Sequence, residues 1–192
     1  MEHYRLQASR ENPGKMNKWF ISDTHFSHTN IIRYTGRPFQ AVHEMDEQLI
    51  ANWNAHIAPN DTVFFLGDFG LGTTDFLTDL CSRLHGNKIC IRGNHDGTPA
   101  KMHKIGFLLV LESAFIKVGR HQVELIHVPS HPAPSHFQLH GHVHEKRPNK
   151  LVGRQLNLSI EVWDYKPVPE RTIIALLDRA DPILEPQSLN VF

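Results

Sequence analysis

From Lys18 onward, short apolar runs alternate with longer stretches whose apolar residues recur every third or fourth position. That alternation predicts an α/β domain in which strands take turns with covering helices. Trp19-Phe20-Ile21 read as a compact first strand that ends in Ser22-Asp23-Thr24-His25. Across residues 42–57, Met45, Leu49, Trp53 and Ile57 recur every fourth position as one helical stripe, and Pro59 follows the last turn. Residues 62–66 form a second apolar strand leading directly into Gly67-Asp68. A helix beginning at Thr74 carries Leu77, Leu80, Cys81 and Leu84 on one side and closes at Gly86. Residues 88–91 predict a third strand, which delivers Gly93-Asn94-His95-Asp96.

The second half reads as mostly strands. Residues 107–111 are apolar, and residues 114–118 pair with 122–127 through Gly119-Arg120, a two-residue hairpin with glycine first. Further short strands are expected at 137–140, 155–160 and 172–177, and Pro129, Pro132 and Pro134 mark an irregular loop between them. No internal repeat, low-complexity tract or long linker divides the chain. Residues 16–192 are therefore expected as one domain, preceded by a loose extension over residues 1–15.

Composition narrows the function. The chain has 192 residues, 40% of them hydrophobic, enough to enclose a core and too apolar for a disordered or collagenous chain. Its 20 Lys+Arg balance 20 Asp+Glu, which removes the basic excess on which duplex or membrane-surface binding rests, so a polyanion has to be met locally. Cys81 and Cys90 sit in apolar segments and read as buried thiols in a reducing cytoplasm. No apolar run is long enough for a signal peptide or a membrane span, and nothing in the pattern fixes an oligomeric state. The departure from average is 15 histidines, seven of them between His121 and His144.

Ligand-capable residues recur where apolar strands end: Asp23 and His25, Asp68, Asn94 with His95 and Asp96, His127, then His142 and His144. In α/β sheets the carboxyl ends of strands are where sites are built. On extended backbone, residues two apart project to the same side, so Asp23 with His25, and His142 with His144, can each aim two donors at one point. The same rule turns His95 away from Asn94 and Asp96 and frees it to face a substrate. Gly67, Gly93 and Gly141 each precede a polar residue, as a strand turning sharply to present a ligand requires. A donor set of Asp, His and Asn without cysteine suits Mn, Fe or Zn rather than a thiolate zinc site. So many donors exceed the needs of one metal and suit two, about 3.5–4 Å apart.

The ordered series Asp23-Thr24-His25, Gly67-Asp68, Gly93-Asn94-His95-Asp96, His127 and Gly141-His142-Val143-His144 resembles the calcineurin-like metallophosphoesterases. The stretches FISDTHFSHTNII, GRPF, NWN, GNHD and NLSIEVWDYKPV look like the small bacterial and phage-type members. The resemblance implies a pair of packed mixed β-sheets flanked by helices. It also implies that Asp23, His25 and His144 hold one divalent metal, that Asn94, His127 and His142 hold the other, and that Asp68 bridges both. His95 matches the catalytic histidine that serves the leaving oxygen, with Asp96 orienting its ring, and the nucleophile implied is a metal-bridging hydroxide. At the fourth motif His131 competes with His127, and strand-end placement favours His127. His28 repeats a position that faces the substrate pocket.

The remaining histidines, His3, His43, His56, His85, His103, His121 and His136, have no partner pattern and read as surface or core residues. His140 stands beside the last motif without a clear role. Trp53, Phe64 and Phe65 read as core. Lys146, Arg147, Lys150 and Arg154 form either a solvated loop or an anion-attracting rim. The function expected is metal-dependent hydrolysis of a phosphodiester or phosphomonoester, with manganese the favoured metal. A nucleotide pyrophosphohydrolase and a non-hydrolytic metal-binding scaffold are the alternatives.

Overall fold

The computed structural model describes residues 16–181; the extension expected over residues 1–15 lies outside them. In chain order the elements are β1 (Lys18–Ile21), α1 (Thr29–Tyr34), α2 (Val42–His56), β2 (Thr62–Phe65), α3 (Thr74–Ser82), β3 (Asn87–Ile91), α4 (Pro99–Ile105), β4 (Leu109–Leu111), β5 (Ser113–Val118), β6 (His121–Ile126), β7 (Phe137–His140), β8 (Gln155–Asn157), β9 (Val168–Pro169) and α5 (Glu170–Ala180). They build a five-stranded sheet of order β4-β3-β2-β1-β9 and a four-stranded sheet of order β5-β6-β7-β8. Strands β1 to β4 run parallel and β9 antiparallel to β1. In the second sheet β5 pairs antiparallel with β6, and β6, β7 and β8 run parallel. Two mixed sheets flanked by helices are thus present, as the resemblance implies.

Period-two alternation divides each central strand between two cores. Trp19, Ile21, Val63, Phe65 and Cys90 face Met45, Leu49, Trp53, Leu77, Leu80, Met102 and Phe107 on the helix-covered side. Phe20, Phe64 and Ile91 point the other way and pack with Val118, Val123, Leu125, Leu139, Leu156, Ile173 and Leu177. Burial on both faces is why these strands read as unbroken apolar runs. Cys81 and Cys90 are buried free thiols, as expected. No helix among the described residues is long and apolar enough to cross a membrane.

Three expectations need correction. Residues 172–177 lie in helix α5, where the apolar run was read as a strand. The spacing of Ile173 and Leu177, both fully buried, is one helical turn, and charged Glu170, Arg171, Asp178 and Arg179 flank them. Residues 155–160 do not form one strand: the chain leaves the sheet after Asn157 and enters a 3₁₀ turn at Ile160–Trp163. Phe107 precedes its strand and packs under the helical face instead. Helix α4 went unread although its signals are in the sequence, with Thr98 accepting from Lys101 N at 3.3 Å and Pro99 in the first turn. The Gly119-Arg120 hairpin is present, with Gly119 at φ +56° and Val118 paired to His121.

Candidate metal centre

Because β1, β2 and β3 are parallel and in register, the loops after them leave the same sheet edge. Asp23 N donates to Gly67 O at 2.9 Å and His25 N to Asp68 O at 3.0 Å, so the first two loops run side by side. The β7 loop meets them where His142 N donates to both carboxylate oxygens of Asp23, at 3.1 and 3.0 Å. Gly141 permits that approach, since a Cβ there would stand 2.5 Å from Asp23 Oδ2 and 2.8 Å from Ser22 Cβ.

The donors converge, but by another route than extended backbone. Asp23 (φ 59°), His25 (φ 49°), Asp68 (φ 61°), His142 (φ 71°) and His144 (φ 48°) all adopt left-handed backbone. Such conformations cost roughly 1–3 kcal/mol each and cluster where a site over-determines them. Two donor groups result: Asp23, His25 and His144, and Asp68, His127 and His142, the ligand atoms of each lying within 4.8 Å of one another. Asn94 joins the second group, its Oδ1 standing 2.9 Å from both His127 Nε2 and His142 Nδ1. Asp68 lies between the groups, with Oδ2 3.5 Å from His25 Nε2 and 3.3 Å from His127 Nε2. His131 is exposed in the loop before β7 and belongs to neither group.

The residues fit divalent cations. His127 Nδ1 lies 2.7 Å from Leu66 O, a carbonyl that only accepts, so Nδ1 carries the proton and Nε2 faces the oxygens of Asn94 and Asp68. In the bare chain those oxygens demand a second proton. Burial alone would lower the His127 pKa, but the Asp68 contact and the Asp23 charge overcome it and raise it to about 9. Burial likewise raises the Asp68 carboxyl, yet the His127 contact, its charge and the His95 N–H bring it down to about 2. A cation at this point takes the place of the extra proton. His25 Nε2 is buried without a hydrogen-bond partner, and burial depresses that ring to about 3, the neutral state that a ligand needs. Burial also raises the Asp23 carboxyl.

His95 is exposed at the mouth of the centre, its N donating to Asp68 Oδ1 at 2.8 Å and its ring 5.4 Å from that of His25. His28 stands beside both, with Nδ1 3.4 Å from His25 Nδ1 and ring centroids 6.4 Å from His95. Asp96 does not touch the His95 ring, contrary to expectation. Its carboxylate accepts the N–H groups of Asp68 at 2.9 Å, Phe69 at 2.9 Å and Gly93 at 2.8 Å, pinning the β2 loop to the β3 loop. His140 is buried on β7, its Nδ1 2.8 Å from Gly141 O and its Nε2 without a partner. Of the basic run, Arg147 donates to Gln155 and Arg154 stacks 4.7 Å over the Phe137 ring, so these two do not form a rim over the centre.

Two residues without a role in the motif reading enter here. Arg37, from the GRPF stretch, donates to Asp23 O at 2.7 Å, Thr24 O at 2.8 Å and Glu161 Oε1 at 2.6 Å. Glu161, from the NLSIEVW stretch, lies 2.9 Å from His144 Nδ1. Burial would raise the Glu161 carboxyl, but the His144 contact and the Arg37 charge hold it at about 2. The same contact raises the His144 pKa against the effect of burial. Asn157 of that stretch donates to His144 O at 2.7 Å and Arg147 O at 2.8 Å.

No family model matches the chain. A Methanocaldococcus jannaschii protein, MJ1445, whose activity is uncharacterised, is 34% identical over 171 residues, spanning 84% of this chain and 91% of that protein. The gene 66 protein of Mycobacterium phage L5 is 30% identical over 183 residues, spanning 77% of this chain and 87% of that protein. Among solved structures, AQ665, a protein of unknown function from Aquifex aeolicus, superposes with a TM-score of 0.69 at 27% identity, covering 84% of this chain and 100% of that one. An archaeal phosphodiesterase overlaps more loosely, with a TM-score of 0.46 at 18% identity over 75% of this chain and 82% of that one, a level that carries no functional argument. With a third or so of its residues shared along nearly the whole of these relatives, the chain belongs to the family of the M. jannaschii MJ1445 protein and the phage L5 gene 66 protein.

Proposed function

We propose that the chain is a metal-dependent phosphoester hydrolase of the calcineurin-like type, acting at a centre of two divalent cations. The observation that carries this reading is Asp68, whose Oδ2 faces His25 Nε2 and His127 Nε2 at 3.5 and 3.3 Å, one from each donor group. A carboxylate so placed could serve two cations at once. Asp23, His25 and His144 would hold one cation, and Asn94, His127 and His142 would hold the other. When bound, the cations polarise the phosphoryl oxygens and lower the pKa of water to near neutrality. Manganese, iron or zinc suits the nitrogen and oxygen donors.

The chain's own residues supply the rest. Two carboxylates, Asp23 and Asp68, offset half the charge of two dications, leaving about +2 to attract a phosphate. Asn94 contributes an oxygen without adding negative charge. His95, exposed above His25 and tied through its N–H to Asp68, gives its proton to the departing ester oxygen. His28, beside both rings, donates to a phosphoryl oxygen. Both roles act on the phosphoryl group, so a small diester, a nucleotide or a nucleic-acid end all suit the centre. The two free, buried cysteines support a cytoplasmic setting.

The test is metal content by mass analysis together with turnover of bis-p-nitrophenyl phosphate and p-nitrophenyl phosphate, before and after chelation. Two metals per chain and chelator-sensitive, Mn²⁺-restored turnover are expected. A metal-loaded preparation inactive on both substrates and on nucleotide diesters would instead make the protein a binding scaffold.

A further inference from the structure

A histidine that holds a cation through one ring nitrogen needs a partner for the other, and that partner fixes the tautomer and the tilt of the ring. For His127 the partner is Leu66 O. For His144 it is Glu161, whose Oε1 lies 2.9 Å from Nδ1. A carboxylate oxygen accepts, so Nδ1–H donates and Nε2 keeps its lone pair for the Asp23–His25–His144 group.

Glu161 does not act alone. The side chains of Arg37 and Glu161 are 0% and 3% exposed, and removing such a pair from water is costly unless its hydrogen bonds are well used. Arg37 spends two of its remaining donors on the carbonyls of Asp23 and Thr24, the loop that carries Asp23 and His25, and one on Met45 Sδ. Glu161 Oε2 has no partner, so the carboxylate is directed entirely through Oε1 at Arg37 and His144. The pair therefore bonds to two members of one donor group, the Asp23 backbone and the His144 ring, and to Thr24, which precedes the third member, His25. It has no hydrogen bond to Asp68, Asn94, His127 or His142 among the described residues.

We propose that Glu161, held by Arg37, is the positioning residue of the Asp23–His25–His144 group, locking the His144 ring so that this cation site, and not its neighbour, is tuned. The proposal rests on the reading of the centre as a two-cation site. It gives a physical task to the GRPF and NLSIEVW stretches, which the ligands themselves leave unexplained.

The test titrates the metal-free full chain with Mn²⁺ alone by calorimetry, with the melting temperature of each metal-free variant as a folding control. Wild type is expected to take two ions. Glu161→Gln keeps an acceptor but loses the charge, and is expected to weaken one site about 10–100-fold, the range for partners of metal-bound histidines, while leaving the other within twofold. In a His144→Ala background the same change is expected to have no further effect on Mn²⁺ affinity, because its route to the metal is gone. Unchanged affinity in Glu161→Gln, equal weakening of both sites, or an equal loss with and without His144 would each overturn the proposal. If Glu161→Gln fails to fold, Arg37→Lys serves instead, with the same one-site loss expected and the same outcomes overturning the proposal. A wild-type chain that takes up no Mn²⁺ would overturn the two-cation centre itself, which separates that failure from a failure of Glu161.

Discussion

Gly141→Ala is expected to be far costlier than its single methyl group suggests. The residue sits where the β7 loop crosses the β1 loop, and its new Cβ would stand 2.5 Å from Asp23 Oδ2, 2.8 Å from Ser22 Cβ and closer still to Ser22 Oγ. Carbon atoms settle about 3.5–4.0 Å apart, so the two loops must separate by roughly 1 Å. Neither can yield cheaply: Ser22 is fully buried with its hydroxyl on Leu66 O at 2.8 Å, and Asp23 is fully buried. Overpacking of this kind costs about 1–3 kcal/mol. The separation also breaks the bonds from His142 N to Asp23, each at 3.0–3.1 Å, and hydrogen bonds to a charged group are worth about 1.5–3 kcal/mol. A loss of about 3–5 kcal/mol follows, read as the free energy of urea unfolding of the metal-free chain. Gly153→Ala is the control, because that glycine also has a special backbone (φ +62°) but no neighbour within 4 Å of its Cβ, and should lose only about 1–2 kcal/mol. If Gly141→Ala unfolds within about 0.5 kcal/mol of wild type and binds Mn²⁺ normally, the crossing does not hold the centre together.

Three further outcomes probe other parts of the chain. His95→Asn should keep both cations while lowering turnover of bis-p-nitrophenyl phosphate by about 10²–10⁴, and an unchanged rate would remove His95 from proton transfer. Asp68→Asn should lose metal along with activity; two fully occupied sites, by mass analysis, would exclude a bridging role. Asp46 is raised to about 6 by burial, which outweighs the N–H of Ser27. Its contribution to stability is complete below the ordinary carboxylate range and is lost as pH rises through about 6. Wild type should therefore lose stability relative to Asp46→Asn between about pH 4 and 7. Parallel melting-temperature curves for the two chains across that window would refute the burial argument.

The sequence exposes the candidate donors better than it exposes their geometry. Asp23, His25, Asp68, Asn94, His127, His142 and His144 were legible because chemistry constrains donor types, and strand ends announce themselves as polar residues after apolar runs. The left-handed backbone at five of them was not, since φ at a non-glycine residue is set by tertiary contacts and leaves no mark in residue type. Arg37 and Glu161 stayed without roles for a related reason: their 124-residue separation closes only when the β1 loop meets the 3₁₀ turn after β8. Residues 172–177 failed differently, because β-branched and leucine residues side by side satisfy both periods until burial of Ile173 and Leu177 decides between them. For Asp96 the sequence suggests the adjacent His95 ring as partner, whereas its oxygens point back at three backbone N–H groups.

Each donor group draws on both sheets. Asp23 and His25 follow β1 and are joined by His144 from beyond β7, while Asp68 and Asn94 follow β2 and β3 and are joined by His127 and His142 from beyond β6 and β7. A cation in either group would therefore cross-link the two halves of the sandwich, fastening positions as distant along the chain as Asp23 and His144 in the first group. Such a staple restricts the unfolded chain in the way a long-range disulfide does, and doing so twice makes the second fastening cheaper once the first has closed the loop. Metal loading would then tighten the docking of the two sheets, and ions bound for chemistry would also serve as rivets of the fold.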